Sequence, residues 1–134
     1  MFENYRVYDG RTFKIEFYYS EQGKMAAYEY YQNLTEKEKR RFFIMISHFA
    51  DSLIGVIFPK TLFNIEDKSH GIYAFKPFIH RFFCFFTGDR KIILLNAYQK
   101  HSQKMAKLDK GVLVKAINLK NDYVYRVQKG TYYE

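Results

Sequence analysis

Residues 76–104, KPFIHRFFCFFTGDRKIILLNAYQKHSQK, hold a set of side chains that could act together on a phosphate. Arg81 offers a planar fork that grips two phosphate oxygens at once, whereas Lys76, Lys100, Lys104 and, just beyond, Lys107 offer compact point charges. Tyr98 can stack on a base or move a proton, and the imidazole of His101 belongs to the side-chain type that titrates near neutral pH. Asn96 adds a hydrogen-bonding amide. Such a set suits phosphate binding. The competing reading is that cations at strand ends snorkel past an aromatic core into water. For Arg81 alone that reading is preferred. For the whole cluster the functional reading is.

Two strands must place these groups. Gly88-Asp89 reads as a two-residue hairpin turn, which pairs Thr87 with Arg90, Arg81 with Asn96 and Ile79 with Tyr98. Side chains alternate between faces with period two. One face is then expected to hold Ile79, Arg81, Phe83 and Phe85 beside Ile92, Leu94, Asn96, Tyr98 and Lys100. The other holds His80, Phe82, Cys84 and Phe86 beside Ile93, Leu95 and Ala97. A second tight turn at Pro77-Phe78 would pair Lys76 with Ile79 and bring Lys76 onto the Arg81 face.

The remaining elements follow from periodicity. Asp9-Gly10 separates two β-prone runs and signals a hairpin, after which Phe13, Ile15, Phe17 and Tyr19 alternate as one side of a half-buried strand. SEQGKMAAYEYYQNL reads as a short helix. Thr35 and Glu38 form a capping-box pattern ahead of a longer one, with Phe42, Ile46, Phe49 and Leu53 at helical spacing and Gly55 as its stop. His48 and Asp51 could share a metal, but with no third ligand near them they read as surface residues. A short strand is expected around Leu62 to Ile65, then strands at 71–76, 79–87 and 90–100. A closing helix over 106–127 has the stripe Leu108, Val112, Ala116, Leu119 and Tyr123. The expectation is one domain over 1–134: a hairpin in 1–19, helices in 20–55, a sheet in 62–100 and the last helix.

Composition narrows the function classes. A hydrophobic share of 48% with two prolines is that of a chain with a packed core, not a disordered one. No apolar run approaches a membrane span, and MFENYRVYDG lacks the pattern of a secretory leader. The single cysteine, Cys84, has no internal partner for a disulfide. These features predict a cytoplasmic protein without a membrane partner. Charge is asymmetric: residues 1–67 hold 9 Lys/Arg against 10 Asp/Glu, residues 68–134 hold 13 against 4. A basic half-chain suits a polyanion, most often nucleic acid. Zinc spacings, GxGxxG, P-loop and GxSxG motifs do not occur.

The stretch GIYAFKPFIHRFFCFFTGDRKIILLNAYQKHSQKMAKLDKGVLVKAINLKNDY resembles the RelE/HigB toxin superfamily, in its phage-derived HigB-like branch. The likeness lies in a Gly-Ile-Tyr strand ending at Lys76, the Arg81-led aromatic strand, Lys100 and Lys104 in place of a lysine motif, and the late pair Asp122-Tyr123. His101 replaces one lysine of that motif, and Ala106 stands near where RelE carries a tyrosine. The resemblance covers about half the chain. It implies an α+β fold: an antiparallel sheet with two N-terminal helices and one C-terminal helix. It further implies a toxin of a type II toxin-antitoxin system, silenced by a helix-turn-helix antitoxin, that cleaves mRNA on the ribosome without a metal or other cofactor. Arg81, Tyr98, Lys100 and His101 would be catalytic; Lys76, Asn96, Lys104 and Lys107 would bind RNA. A non-catalytic RNA-binding module on the same fold, or a basic protein-interaction domain, are the alternatives.

Overall fold

The computed structural model describes residues 5–101 and 107–133. Its elements are β1 (Arg6–Asp9), β2 (Lys14–Phe17), α1 (Ala26–Gln32), α2 (Glu36–Asp51), β3 (Phe63–Asp67), β4 (Ile72–Phe75), β5 (His80–Phe86), β6 (Lys91–Gln99) and α3 (Lys107–Gln128). The class is α+β, as expected, but the sheet is mixed. Six strands run in the order β1-β2-β6-β5-β4-β3, and β2 pairs with β6 in parallel. The expected all-antiparallel sheet fails there because β2 is drawn into the middle of the sheet beside the last strand. The helix layout differs too. α1 and α2 do not lead the chain; they carry it from β2, next to β6, to β3 at the far edge. A parallel pairing needs such a crossover.

Two apolar layers result. Ala27 of α1 and Phe42, Met45, Ile46, Phe49 and Ala50 of α2 pack with Ile15, Phe17, Phe75, Phe82, Cys84, Ile92 and Leu94. On the other face Ala116 and Tyr123 of α3 pack with Ile72, Ala74, Phe83, Phe85, Ile93, Leu95 and Tyr98. β2 is consequently buried on both sides, Glu16 and Tyr18 as well as Ile15 and Phe17, and not half-buried.

α2 starts on the expected capping box: Thr35 accepts from the Glu38 amide while Glu38 accepts from the Thr35 amide. It stops at Asp51 with Ser52 as cap, before Gly55, and this leaves Leu53 exposed instead of on the stripe. In α3, Leu108 is likewise exposed, and Asp109 takes the buried position beside it. The first hairpin is wider than Asp9-Gly10 suggests, with Asp9 opposite Lys14. Gly10 is required for a different reason: a Cβ there would lie 2.5 Å from that of Ala50, so the hairpin could not seat on α2.

The β5–β6 register also departs from expectation. Arg90 adopts a left-handed φ of 63°, making a three-residue loop of Gly88, Asp89 and Arg90. Thr87 closes it, its amide donating to the Lys91 carbonyl at 2.9 Å and its Oγ1 accepting from the Lys91 amide at 3.0 Å. Phe86 therefore faces Ile92, and Ile92 and Leu94 turn towards α1 and α2. A bulge then sets Leu95 and Asn96 on one side, after which Phe83 faces Asn96 and Arg81 faces Tyr98. The one-residue slip moves the apolar residues, and the bulge restores Asn96 and Tyr98 to the Arg81 face.

Candidate functional site

The expected cluster forms at the sheet end away from the Gly88 loop, on the face covered by α3. Arg81 and Tyr98 are direct cross-strand partners. The β4–β5 pairing of Phe75 with Phe82, continued by one pair, sets Lys76 opposite Arg81, not opposite Ile79. The central residues of that turn are thus Phe78 and Ile79. Lys76, Arg81 and Tyr98 make one row across three strands, and Lys100 follows β6, its amide donating to the Ile79 carbonyl at 2.8 Å.

Two carboxylates join this row, and neither belonged to the expected set. Glu66 of β3 pairs with Lys76 at 3.4 Å, and buried Asp109 of α3 pairs with Lys100 at 3.7 Å. Among the described residues three cations face two carboxylates, which leaves the row a single positive excess. The Tyr98 phenol between them is pushed up to about 12, first by burial, then by the fields of Asp109 and Glu66, with Arg81 partly offsetting them. At neutral pH Tyr98 is therefore a proton-bearing donor and not a base. The Arg81 guanidinium donates through Nη1 to the carbonyls of Phe78 (3.0 Å) and His80 (2.8 Å), which orients it and leaves its other donors to the site.

The remaining residues lie further out. Asn96 is buried and donates Nδ2 to the Val112 carbonyl at 3.0 Å, tying β6 to α3; its Oδ1 has no partner among the described residues. With Lys107, which opens α3 and is exposed, Asn96 lines an apolar cavity between β6 and that helix. His101 is exposed just beyond β6, next to Lys100, and makes no hydrogen bond or ion pair with the row among the described residues. Lys104 lies outside the described residues.

Asp109 had a legible signal: it falls in the register of the α3 stripe, one position after Leu108, where a buried polar residue needs a partner. Glu66 had none, since a bulge in the β3–β4 register after Ile65 decides its placement. His80 sits as expected on the opposite face. It is buried, with Nδ1 2.6 Å from the Tyr30 hydroxyl and Nε2 2.5 Å from Glu38. Among the described residues no group of three or more His, Cys, Asp or Glu could hold a metal, and no helix is long and apolar enough to cross a membrane. The sequence matches no protein-family model, and a search of curated proteins returns no match.

Proposed function

We propose that this chain is a HigB/RelE-like toxin that cleaves mRNA on the ribosome, in the cytoplasm, under the control of a helix-turn-helix antitoxin. The observation that carries this reading is the Lys76–Arg81–Tyr98 row, with Lys100 beside it, at one end of one sheet face. In the reaction the ribose 2′-hydroxyl attacks the adjacent phosphate. Its oxygen forms a bond to phosphorus as the bond to the 5′ oxygen of the next nucleotide breaks. Glu66 or Asp109 would accept the 2′ proton, Arg81 and Lys100 would stabilise the phosphorane charge, and Tyr98 or His101 would protonate the leaving oxygen. A reporter mRNA incubated with and without ribosomes tests this: cleavage that requires ribosomes supports it.

One observation favours a second reading, a non-catalytic RNA-binding module. Lys76 and Lys100 are already paired with carboxylates, and Arg81 already holds two carbonyls. Intact RNA bound in a salt-dependent way, with or without ribosomes, would select it.

A further inference from the structure

The turn between β4 and β5 carries a ring where a glycine would be at ease. The His80 amide donates to the Pro77 carbonyl at 3.0 Å, closing a four-residue turn, and Phe78 at its first central position has φ 56°. An L-residue in that left-handed region is disfavoured, and an aromatic one has no local hydrogen bond to offset the cost. Burial of the ring does not offset it either, since Phe78 is 48% exposed and Ile79 beside it 49%. The turn's backbone is nevertheless held firmly: Arg81 donates to the Phe78 carbonyl and the Lys100 amide to the Ile79 carbonyl, so two residues of the candidate site anchor the turn that carries the ring. Lys37, in the first turn of α2, lies 5.9 Å from the ring centroid.

We propose that Phe78 is a base-stacking subsite of the same RNA site: its ring takes an unpaired nucleobase, while Lys37 and Arg81 flank it for the adjoining phosphates. This rests on the RNA reading above and adds the form of RNA required. Bases in a duplex are stacked inside it, so a ring at a turn tip meets a base only in a single strand or a splayed nucleotide. An aromatic face beside cations is the general arrangement for such strands, stacking being tolerant of sequence and the cations following the backbone. The exposed ring and its strained backbone thus have a common explanation: the ring is held out for a ligand.

The chain contains no tryptophan, so Phe78→Trp introduces a sole indole at the turn. A short single-stranded RNA should quench its fluorescence, whereas inorganic polyphosphate, which has charge but no bases, should bind without quenching it. Phe78→Gly should relieve the left-handed strain, so melting stays level or rises, while affinity for the RNA falls on the order of tenfold and affinity for polyphosphate holds. If the wild-type protein binds the RNA in a salt-dependent way, yet the indole is unquenched and Phe78→Gly binds undiminished, the stacking role is overturned and the RNA reading survives; the turn is then a protein-contacting surface. If the wild-type protein binds no RNA, with or without ribosomes, both fall.

Discussion

His80 and Arg81 are consecutive on β5, point to opposite faces, and meet opposite treatment. His80 enters a closed network: one ring nitrogen meets Tyr30 of α1, the other meets Glu38, and Glu38 also completes the α2 capping box. Two helices and a strand share that imidazole, and both its nitrogens are occupied. Arg81 enters an open row whose members come from four strands and α3, and whose cations and carboxylates do not cancel. A side chain saturated by its own fold holds structure together; one fixed through part of its donor set can hold something else. The type of residue does not decide this, since a histidine and an arginine would be equally eligible for catalysis from sequence alone.

The largest effect should come from breaking the closed side. His80→Ala removes the centre of the network and leaves Glu38 and Tyr30 without that partner, which should cost about 2–4 kcal/mol of stability. A thermal melt should show it as a loss of roughly ten degrees. RNA affinity, measured where the variant is still folded, should not change. An unaltered melt would contradict the distinction between the faces.

The same side should respond to acid. The Glu38 carboxyl is held down to about 2 from its ordinary 4.5, first by the hydrogen bond with His80 and then by the Thr35 amide. A lowered folded-state value means that ionised Glu38 stabilises the fold fully above about 4.5, and that the contribution fades as pH falls from there through about 2. Glu38→Gln should flatten melting temperature against pH across that window and leave the neutral-pH RNA titration untouched.

The open side should respond to salt. The logarithm of RNA affinity should fall linearly with the logarithm of salt concentration, and Arg81→Ala should make the slope shallower by roughly 0.7, the value for one phosphate contact on a single strand. The smallest effect on RNA affinity should be that of Tyr98→Phe. It removes one donor, worth about 1 kcal/mol, and the pH–rate profile should keep its shape near neutrality because the phenol is protonated throughout that range. His101→Ala should instead slow cleavage by about two decades if the exposed imidazole transfers the proton.

Much of the architecture was legible because it depends on local patterns. The α2 capping box and the β5–β6 hairpin follow from cap chemistry and turn residues, whereas Arg81, Asn96 and Tyr98 share a face only because a bulge compensates the slipped register. The parallel β2–β6 pairing was not legible, because a strand's neighbours across a long crossover leave no local mark on it. Register was only partly legible: Arg90 in a left-handed conformation lengthened the loop, and the Leu95–Asn96 bulge undid the slip by a second event that alternation does not encode. Charge along the chain does not reveal Glu66 and Asp109 as members of the row, because a bulge places the first on β3 and the second comes from α3.

The most direct test of the row is the rate of mRNA cleavage on ribosomes by Arg81→Ala. The rate should fall by about two to three decades, as for removal of one well-placed donor to a developing charge. Melting should fall by only a few degrees, reflecting the carbonyls of Phe78 and His80 that Arg81 holds. Cleavage by Arg81→Ala at the wild-type rate, with the fold intact, would contradict the assignment of Arg81 and with it the reading of the open face as the reacting site.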